Sequence, residues 1–360
     1  HATAYLIAEL IEKHDRNRFD CTAFSFGPDR RDAMRQRLTA GFDRFVDVRA
    51  RSDREIVDLS RELGIDIAID LKGYTRDSRP AIFAGRCAPV QASYLGYPGT
   101  MGTRHMDYII ADSVVIPEES RRHYSEKVVR LPGSYQANDS RKPMSGRSPS
   151  RRELGLDEGF VFCCFNNSYK IQPATFDSWM RILRRVDGSQ LWLIEDNAAA
   201  VRNLRREAEA RGVDGHRLVF SRRIPLADHL ARHHAADLFL DTLPYNAHTT
   251  ASDALWAGLP VLTLTGRAFA GRVATSLLQA MAMSDLVTDT ARDYEQRAVD
   301  LATGPGALAA IKRKLQNNRH SSALFDSTAF AKHLEAACSM MHDRHRRGLA
   351  PDHIEIASAR

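Results

Sequence analysis

Short apolar runs alternate with amphipathic segments along most of the sequence, and this alternation constrains the fold more than any other feature. The runs of the first half are predicted strands: Thr22–Phe26, Phe45–Val48, Asp66–Leu71, Val90–Tyr94 and Tyr108–Ala111. Strands that are apolar throughout and separated by segments of helical length are typical of parallel sheets covered by helices on both faces. The sequence therefore predicts an α/β fold.

A second series of predicted strands follows: Phe160–Phe165, Leu191–Ile194, Leu218–Phe220, Leu238–Leu240 and Val261–Leu264. Between the series, residues 136–155 are rich in Ser, Pro and Arg and are predicted to form a linker. From Asp293 onward the pattern is helical. With 360 residues, 43% of them hydrophobic, the chain can build two cores of ordinary size. We predict two Rossmann-like lobes, residues 1–135 and 156–325, with a ligand cleft between them and a helical tail at 326–360.

The start of the first lobe departs from the usual order of elements. A Rossmann-like lobe begins with a strand, whereas this sequence enters a helix near Thr3. We therefore expect the first strand of the lobe to lie before His1.

Charge and cysteine usage narrow the function classes. The net charge is +6, but the excess arginines are not interleaved with aromatic residues and match no nucleic-acid-binding signature. Solvated helix faces with a modest preference for anionic ligands are expected instead.

The five cysteines are scattered and lack metal-site spacing, which favours reduced thiols in the cytoplasm. No secretory signal and no apolar run of membrane-spanning length is found, and no metal or cofactor site is predicted.

The segment Asp237–Trp256 carries the strongest functional signal. A buried strand and a tight loop lead into a helix that opens at Thr249, and the free amides and dipole of a helix start attract anions. The hydroxyls of Thr249 and Thr250 add donors. Asp253 lies one turn further on the same face. Because a carboxylate repels phosphate, its expected partner is a neutral hydroxyl, such as the ribose of a nucleotide. A plain helix cap beside a solvated aspartate remains the alternative.

Other predicted strands also end in polar residues. Lys170 follows the strand Phe160–Phe165 and could neutralise a pyrophosphate leaving group, or lie in solvent. His229 begins a helix after another strand end, where it could pack on a base or only cover the helix start. Gly96 and Gly99 could let the backbone approach a ligand, or simply form turns. Dinucleotide, phosphate-loop and nucleophile-elbow motifs are absent from the sequence, which weighs against dehydrogenases, ATPases and hydrolases.

Taken in order, these segments resemble those of the O-linked N-acetylglucosamine transferases, in the catalytic region shared by the protein-glycosylating enzymes and their bacterial relatives. The resemblance covers nearly the whole chain through His1–Thr3, Asp70–Thr75, Ala88–Ala92, Leu95–Thr100, Met106–Ile109, Tyr124–Lys127, Phe165–Ile171, Asn246–Thr250, Asp253–Pro260, Arg272–Ala274 and Leu324–Phe325. It implies a GT-B glycosyltransferase fold. It also implies an inverting, metal-independent transfer of N-acetylglucosamine from UDP-GlcNAc to serine or threonine hydroxyls of proteins.

The resemblance implies roles for residues at matching positions. In the UDP-binding lobe, His248, Thr249 and Thr250 are expected to hold the pyrophosphate, and Asn167 is expected to lie near the diphosphate. Asp253 is expected to bind the ribose and His229 to pack on the uracil. Lys170 is expected to stabilise the departing UDP. In the first lobe, Leu95, Gly96 and Tyr97 are expected to line the sugar pocket. His1 is expected to orient or deprotonate the acceptor. Tetratricopeptide repeats, which select protein substrates in this family, would lie upstream of His1.

Two alternatives stay open at the level of sequence. The same fold could use another UDP-hexose as donor, or an asparagine, a small molecule or a glycan as acceptor. The chain could also be a UDP-sugar-binding module without turnover.

Overall fold

The computed structural model describes residues 2–357, without the side chain of Pro305, and divides into two compact units. Unit 1 comprises residues 1–140 and 323–360, and unit 2 comprises residues 141–322. The strands in chain order are β1 (Thr22–Ser25), β2 (Arg44–Asp47), β3 (Ile67–Asp70), β4 (Val90–Tyr94), β5 (Tyr108–Ala111), β6 (Lys127–Arg130), β7 (Val161–Cys164), β8 (Gln190–Ile194), β9 (Leu218–Ser221), β10 (Leu238–Leu240), β11 (Val261–Leu264), β12 (Val287–Thr288) and β13 (Ile354–Glu355).

The α-helices in chain order are α1 (Ala2–Lys13), α2 (Ala33–Gly41), α3 (Asp53–Glu62), α4 (Ala81–Ala84), α5 (Pro173–Arg185), α6 (Ala198–Glu209), α7 (Leu226–Arg232), α8 (Thr249–Trp256), α9 (Val273–Ala280), α10 (Ala291–Thr303), α11 (Pro305–Asn318) and α12 (Ser327–Arg346). Local chemistry sets their starts. Helix α2, for example, begins at Ala33, because the side chain of Asp32 accepts a hydrogen bond from the Arg35 amide and caps the helix.

Unit 1 has parallel sheets among its described residues. One contains β1 and β2, and the other has the order β13-β6-β5-β4-β3. The strands β4 and β5 lie inside the larger sheet and are buried along their whole length, as expected where helices cover both faces. A separate apolar cluster contains Val48, Ile56, Val57, Ile82 and Cys87.

The C-terminal helix α12 belongs to unit 1 and does not form a separate tail. The Ser327 hydroxyl donates to Glu9 Oε2 and lies at the same distance, 2.8 Å, from the Asn138 carbonyl oxygen. Glu335 accepts a hydrogen bond from the Asp15 amide at 2.8 Å. After the helix, Ile354 of β13 pairs with β6. The expectation of helix throughout the region after Asp293 is therefore wrong at β13.

Unit 2 has a parallel sheet with the order β12-β11-β10-β7-β8-β9 among its described strands. The strands β7, β8 and β10 are buried throughout, which explains why their sequences are apolar runs. Since all pairings are parallel, the carboxyl ends of β10, β7 and β8 lie along one edge of the sheet. This edge positions most of the residues singled out from the sequence.

Residues 136–155, expected as a linker, contain the boundary between the units, after Ser140. The first part of this segment is packed, since Gln136, Asn138 and Lys142 are buried. Further on, Ser150 and Glu153 form the reciprocal hydrogen bonds of a capping box, but they cap only a single 3-10 turn. Low apolar content therefore does not mark a free linker here.

Two further observations bear on the sequence expectations. The five cysteines are all free thiols, and the adjacent Cys163 and Cys164 are both buried in β7. No helix within residues 2–357 has the length and apolar character needed to cross a membrane.

Candidate functional site

The amino end of α8 lies directly after the loop that follows β10. His248 caps this helix through its backbone, and its carbonyl accepts from the amides of Ala251 and Ser252. The amides of His248, Thr249 and Thr250 make no hydrogen bond to other described residues, as expected for the first turn of a helix. Free amides at the positive end of a helix dipole can bind an anion.

The side chains at this helix start are more engaged than the sequence suggested. The Thr250 hydroxyl donates to Asn166 Oδ1 at 2.5 Å, which links α8 to the end of β7. The imidazole of His248 stacks on Tyr245, with ring centroids 4.8 Å apart, and its Nε2–H donates to the Ala270 carbonyl at 3.1 Å. His248 can therefore offer a phosphate its amide, while its ring holds the loop.

Lys170 lies beside this helix start. It ends a 3-10 turn after β7, its Nζ donates to the Asn246 carbonyl at 2.8 Å, and it lies 4.1 Å from the centroid of the Tyr245 ring. The structure thus brings together Lys170 and the amides that follow Asn246, which are separated by almost 80 residues of sequence. A cation and a helix start at one place favour a multiply charged anion.

Burial shifts the pKa values of Lys170 and of the titratable groups near it. Desolvation lowers the pKa of Lys170 to about 8, and the opposing effect of Asp241 keeps it from falling further. Desolvation raises the pKa of Asp241 to about 6. Burial and the nearby Lys170 charge lower the pKa of His248 to about 3. At neutral pH the site therefore contains a charged lysine, an ionised aspartate and a neutral histidine.

Asn167 lies in a network across three strand ends. Arg223, after β9, donates to Asn167 Oδ1 and to Asp196 Oδ1 at 2.6 Å each. Asp196, after β8, accepts from the Ser168 amide at 2.5 Å. Asn167 Nδ2 donates to the hydroxyl of Tyr169, whose side chain is exposed. This network fixes the turn that carries Lys170.

His229 packs in a ring cluster at the same sheet edge. Its imidazole lies 5.2 Å from Phe165 and 4.7 Å from His233, measured between centroids. Arg232 donates to His229 Nδ1 at 2.6 Å, so the proton of the neutral ring lies on Nε2. Burial and neighbouring positive charge lower the pKa of His229 to about 2. A neutral, fixed ring of this kind suits packing against a base better than proton transfer.

Asp253 is not a solvated helix residue. Its Oδ1 accepts from Lys142 Nζ at 2.7 Å, and both side chains are buried. Lys142 is held in turn by Trp256, whose Nε1 donates to the Lys142 carbonyl at 3.3 Å. The ion pair uses Oδ1, and Oδ2 takes part in no described hydrogen bond.

In unit 1, the residues Leu95, Gly96 and Tyr97 form a tight turn after β4. Leu95 has a φ of +66°, and the Gly96 amide donates to the Tyr94 carbonyl at 2.7 Å. A Cβ on Gly96 would lie 2.0 Å from the Leu71 carbonyl oxygen. The ring of Tyr97 packs edge-on against Tyr74 at 5.6 Å. The turn thus lies against the loop after β3, the neighbouring strand, and this close backbone contact leaves no room for a side chain at position 96.

His1, expected to act on the acceptor, lies outside the described residues. Within residues 2–357, no group of three or more histidine, cysteine, aspartate or glutamate side chains is arranged to hold a metal ion.

Sequence reasoning missed four residues of the site: Lys142, Asp241, Tyr245 and Arg232. Lys142 lies in the segment expected to be a linker, so its pairing with Asp253 had no local signal. Asp241 and Tyr245 fall within the motif Asp237–Trp256, where a buried acid after an apolar strand was a signal that could have been used.

Comparison with known proteins adds independent evidence. The family model described as glycosyl transferase family 41 matches residues 1–148 and 141–334. A relative from Arabidopsis thaliana, named "Probable UDP-N-acetylglucosamine--peptide N-acetylglucosaminyltransferase SEC", is 35% identical over 99% of this chain. The chain spans 37% of that relative's length.

Two solved structures are similar over nearly the whole chain. A mutant of the O-GlcNAc transferase of Thermobaculum terrenum gives a TM-score of 0.90 at 36% identity, and the match covers 97% of this chain and 66% of that one. HepE of Anabaena in complex with UDP and glucose gives a TM-score of 0.64 at 13% identity, covering 94% and 96%. These matches confirm the GT-B fold that the sequence resemblance implied. The fold, the arrangement at α8 and the match of the family model over both units lead to one conclusion: the chain belongs to glycosyl transferase family 41.

Proposed function

We propose that this chain transfers N-acetylglucosamine from UDP-GlcNAc to serine or threonine hydroxyls of proteins, in the cytoplasm, with inversion and without a metal ion. The family membership and the peptide acceptors in the name of the Arabidopsis relative support this proposal. The five free thiols are in keeping with a reducing compartment. The main structural support for the proposal is the position of Lys170. Its Nζ donates a hydrogen bond to the Asn246 carbonyl, beside the free amides of α8.

The roles in unit 2 follow from charge and hydrogen-bonding capacity. The amides of His248, Thr249 and Thr250 bind the pyrophosphate, with Lys170 and Asn167 on its other side. Asp253 accepts from the ribose through Oδ2, since Lys142 occupies Oδ1. The ring of His229 packs on the uracil. Together these groups recognise the UDP half of the donor.

The reaction is a single displacement. The acceptor oxygen forms a bond to the anomeric carbon while the bond from that carbon to the β-phosphate oxygen breaks, and the electron pair leaves with UDP. The acceptor proton passes to His1 or to a phosphate oxygen of the donor. The charge that develops on UDP is stabilised by Lys170 and the start of α8, which supply the electrostatic help that a metal gives elsewhere. In unit 1, Leu95, Gly96 and Tyr97 line the sugar pocket.

Replacement of Lys170 tests this function. We expect Lys170→Met to lower UDP-GlcNAc turnover by about 100-fold or more, the size found when one donor to a developing anion is removed. UDP binding, followed by calorimetry, should weaken far less. Lys314→Met is a matched control, because Lys314 pairs with Asp285 on the surface of the same unit. Turnover by Lys170→Met within a few-fold of wild type would contradict the leaving-group role.

A further inference from the structure

Asp241 is a buried carboxylate with no assigned role in the proposed reaction. It follows β10 directly, and its Oδ1 accepts hydrogen bonds from the amides of Thr242, at 2.7 Å, and Ala247, at 2.6 Å. Its Oδ2 accepts from the hydroxyl of Thr263, in β11, at 2.6 Å. These described donors are all neutral, so hydrogen bonds satisfy both oxygens without a direct ion pair.

The two amides held by Asp241 lie at the two ends of the loop 242–247. Asn246 Nδ2 also donates to the Thr242 carbonyl at 2.8 Å, which closes the loop on itself. The loop then presents the Asn246 carbonyl to Lys170 and passes into His248, where α8 begins. One carboxylate therefore sets the position of both anion-binding elements, the lysine and the helix start.

The charge of Asp241 acts on Lys170 as well. Each of the two groups favours the charged form of the other, while burial opposes both charges. The titratable groups that face this pair from neighbouring elements are Cys164 of β7, Tyr294 of α10 and His248. Burial raises the pKa of Cys164 to about 12, raises that of Tyr294 well above its ordinary value and lowers that of His248, so these three are uncharged near pH 7.

We propose that Asp241 is a positioning residue of the transfer site, whose buried negative charge keeps Lys170 protonated and whose hydrogen bonds hold the loop 242–247 in place for the pyrophosphate. The proposal rests on the proposed function, because it assigns Asp241 a part in the same reaction. It also explains why an ionisable side chain is buried directly after β10, where a charge is costly to bury.

The test is the pH dependence of UDP-GlcNAc turnover in three variants. Asp241→Asn keeps the size of the side chain and removes its charge. We expect kcat/KM to fall at least tenfold and the alkaline limb of the kcat/KM profile, which the pKa of Lys170 of about 8 sets in the wild type, to move down by one pH unit or more. Thr263→Val keeps the charge but removes one hydrogen bond to it, so the acidic limb should move up by about half a unit or more.

Thr288→Val is the matched control. The Thr288 hydroxyl donates to the Thr263 carbonyl at 2.9 Å, so this variant loses a buried hydroxyl on the adjacent strand without touching Asp241. Both limbs should stay where they are in the wild type. An alkaline limb at the wild-type pH in Asp241→Asn would overturn the proposal. If that variant does not fold, as judged by circular dichroism, an unmoved acidic limb in Thr263→Val overturns it instead.

Failure of the proposed function gives a different result from failure of the role proposed for Asp241. In that case wild-type protein turns over no UDP-GlcNAc, and the comparison moves to UDP binding measured by calorimetry from pH 6 to 9. The affinity of Asp241→Asn for UDP should then decline at lower pH than that of the wild type. Identical pH dependence of UDP affinity would overturn the role of Asp241 independently of catalysis.

Discussion

Lys142 Nζ lies 2.7 Å from Asp253 Oδ1, and the two side chains are only 1% and 9% exposed. This buried ion pair joins a segment without regular structure to the helix that begins the anion site. Because both charges are out of water, neither can lose its partner without a large desolvation cost. The pair therefore links the stability of unit 2 to the proposed nucleotide site at α8.

Removal of the lysine should destabilise the protein. We expect Lys142→Met to lower the free energy of unfolding by about 3 kcal/mol, because it leaves the Asp253 charge buried and unpaired. Chemical denaturation measures the change. The double variant with Lys142→Met and Asp253→Asn should recover part of the loss. Unfolding of Lys142→Met at the wild-type denaturant concentration would show that the pair is not buried in solution.

The free oxygen of Asp253 should discriminate between nucleotides. If it accepts from the ribose, wild-type protein should bind UDP about tenfold more tightly than its 2′- or 3′-deoxy counterpart, since a hydrogen bond to a charged group contributes about 1.5 kcal/mol or more. In Asp253→Asn the preference should shrink to within threefold. Calorimetry with the nucleotides measures both affinities. Equal affinity of the wild type for UDP and both deoxynucleotides would place the ribose elsewhere.

The turn at Gly96 should be intolerant of any side chain. We expect Gly96→Ala to lower kcat/KM for UDP-GlcNAc at least tenfold, because its Cβ would lie 2.0 Å from the Leu71 carbonyl oxygen and 2.6 Å from the carbonyl carbon. Affinity for UDP alone should stay unchanged, as the proposed UDP contacts belong to unit 2. Gly27→Ala, with no neighbouring atom within 4 Å, is the control and should behave like the wild type. Comparable losses in both variants would contradict a specific role for the turn.

Acid should destabilise the fold through its buried histidines. Burial lowers the pKa of His229 to about 2, that of His248 to about 3 and that of His233 to about 4. Their folded-state pKa values lie below the unfolded value near 6.5, so their contribution to stability is present above that pH and is lost as the pH falls. The raised pKa of Asp241 has the opposite effect, since it makes the fold more stable as the pH falls from about 6 to about 4. This single group does not offset the three histidines.

The midpoint of thermal unfolding should therefore fall between pH 7 and pH 5. At pH 5 each such histidine costs on the order of 1–2 kcal/mol. His233→Asn keeps a donor for the His229 carbonyl, which His233 Nδ1 reaches at 2.7 Å, and removes one titrating group. Its midpoint should fall by less than that of the wild type. An equal fall in both proteins would contradict the assignment.

Buried strands were the part of the fold that the sequence predicted best. The bounds of β4, β5, β10 and β11 agree with the apolar runs, because strands covered on both faces need apolar residues throughout. β6 was missed: it runs from Lys127 to Arg130, so that both ends are charged. β13 was missed because two residues make no pattern, and its partner β6 is more than 200 residues away in sequence.

In the candidate site, too, local features were predictable from the sequence and contacts between distant segments were not. The helix start at Thr249 and the acid at Asp253 were predictable from one short segment, since helix geometry fixes their relation. The contact of Lys170 with the Asn246 carbonyl and the pairing of Lys142 with Asp253 depend on strand order and on a packed irregular segment. Periodicity and spacing carry no information about such contacts, so only the structure supplies them.

The placement of α12 and β13 in unit 1 has a consequence for synthesis on the ribosome. Translation completes the whole of residues 141–322 before it supplies Ser327, Glu335 and Ile354, which the first 140 residues bond to. Domains fold as units when their residues are available. Unit 2, to which the proposed UDP contacts belong, can therefore fold on the nascent chain, whereas unit 1 must wait until Ser327, Glu335 and Ile354 have emerged.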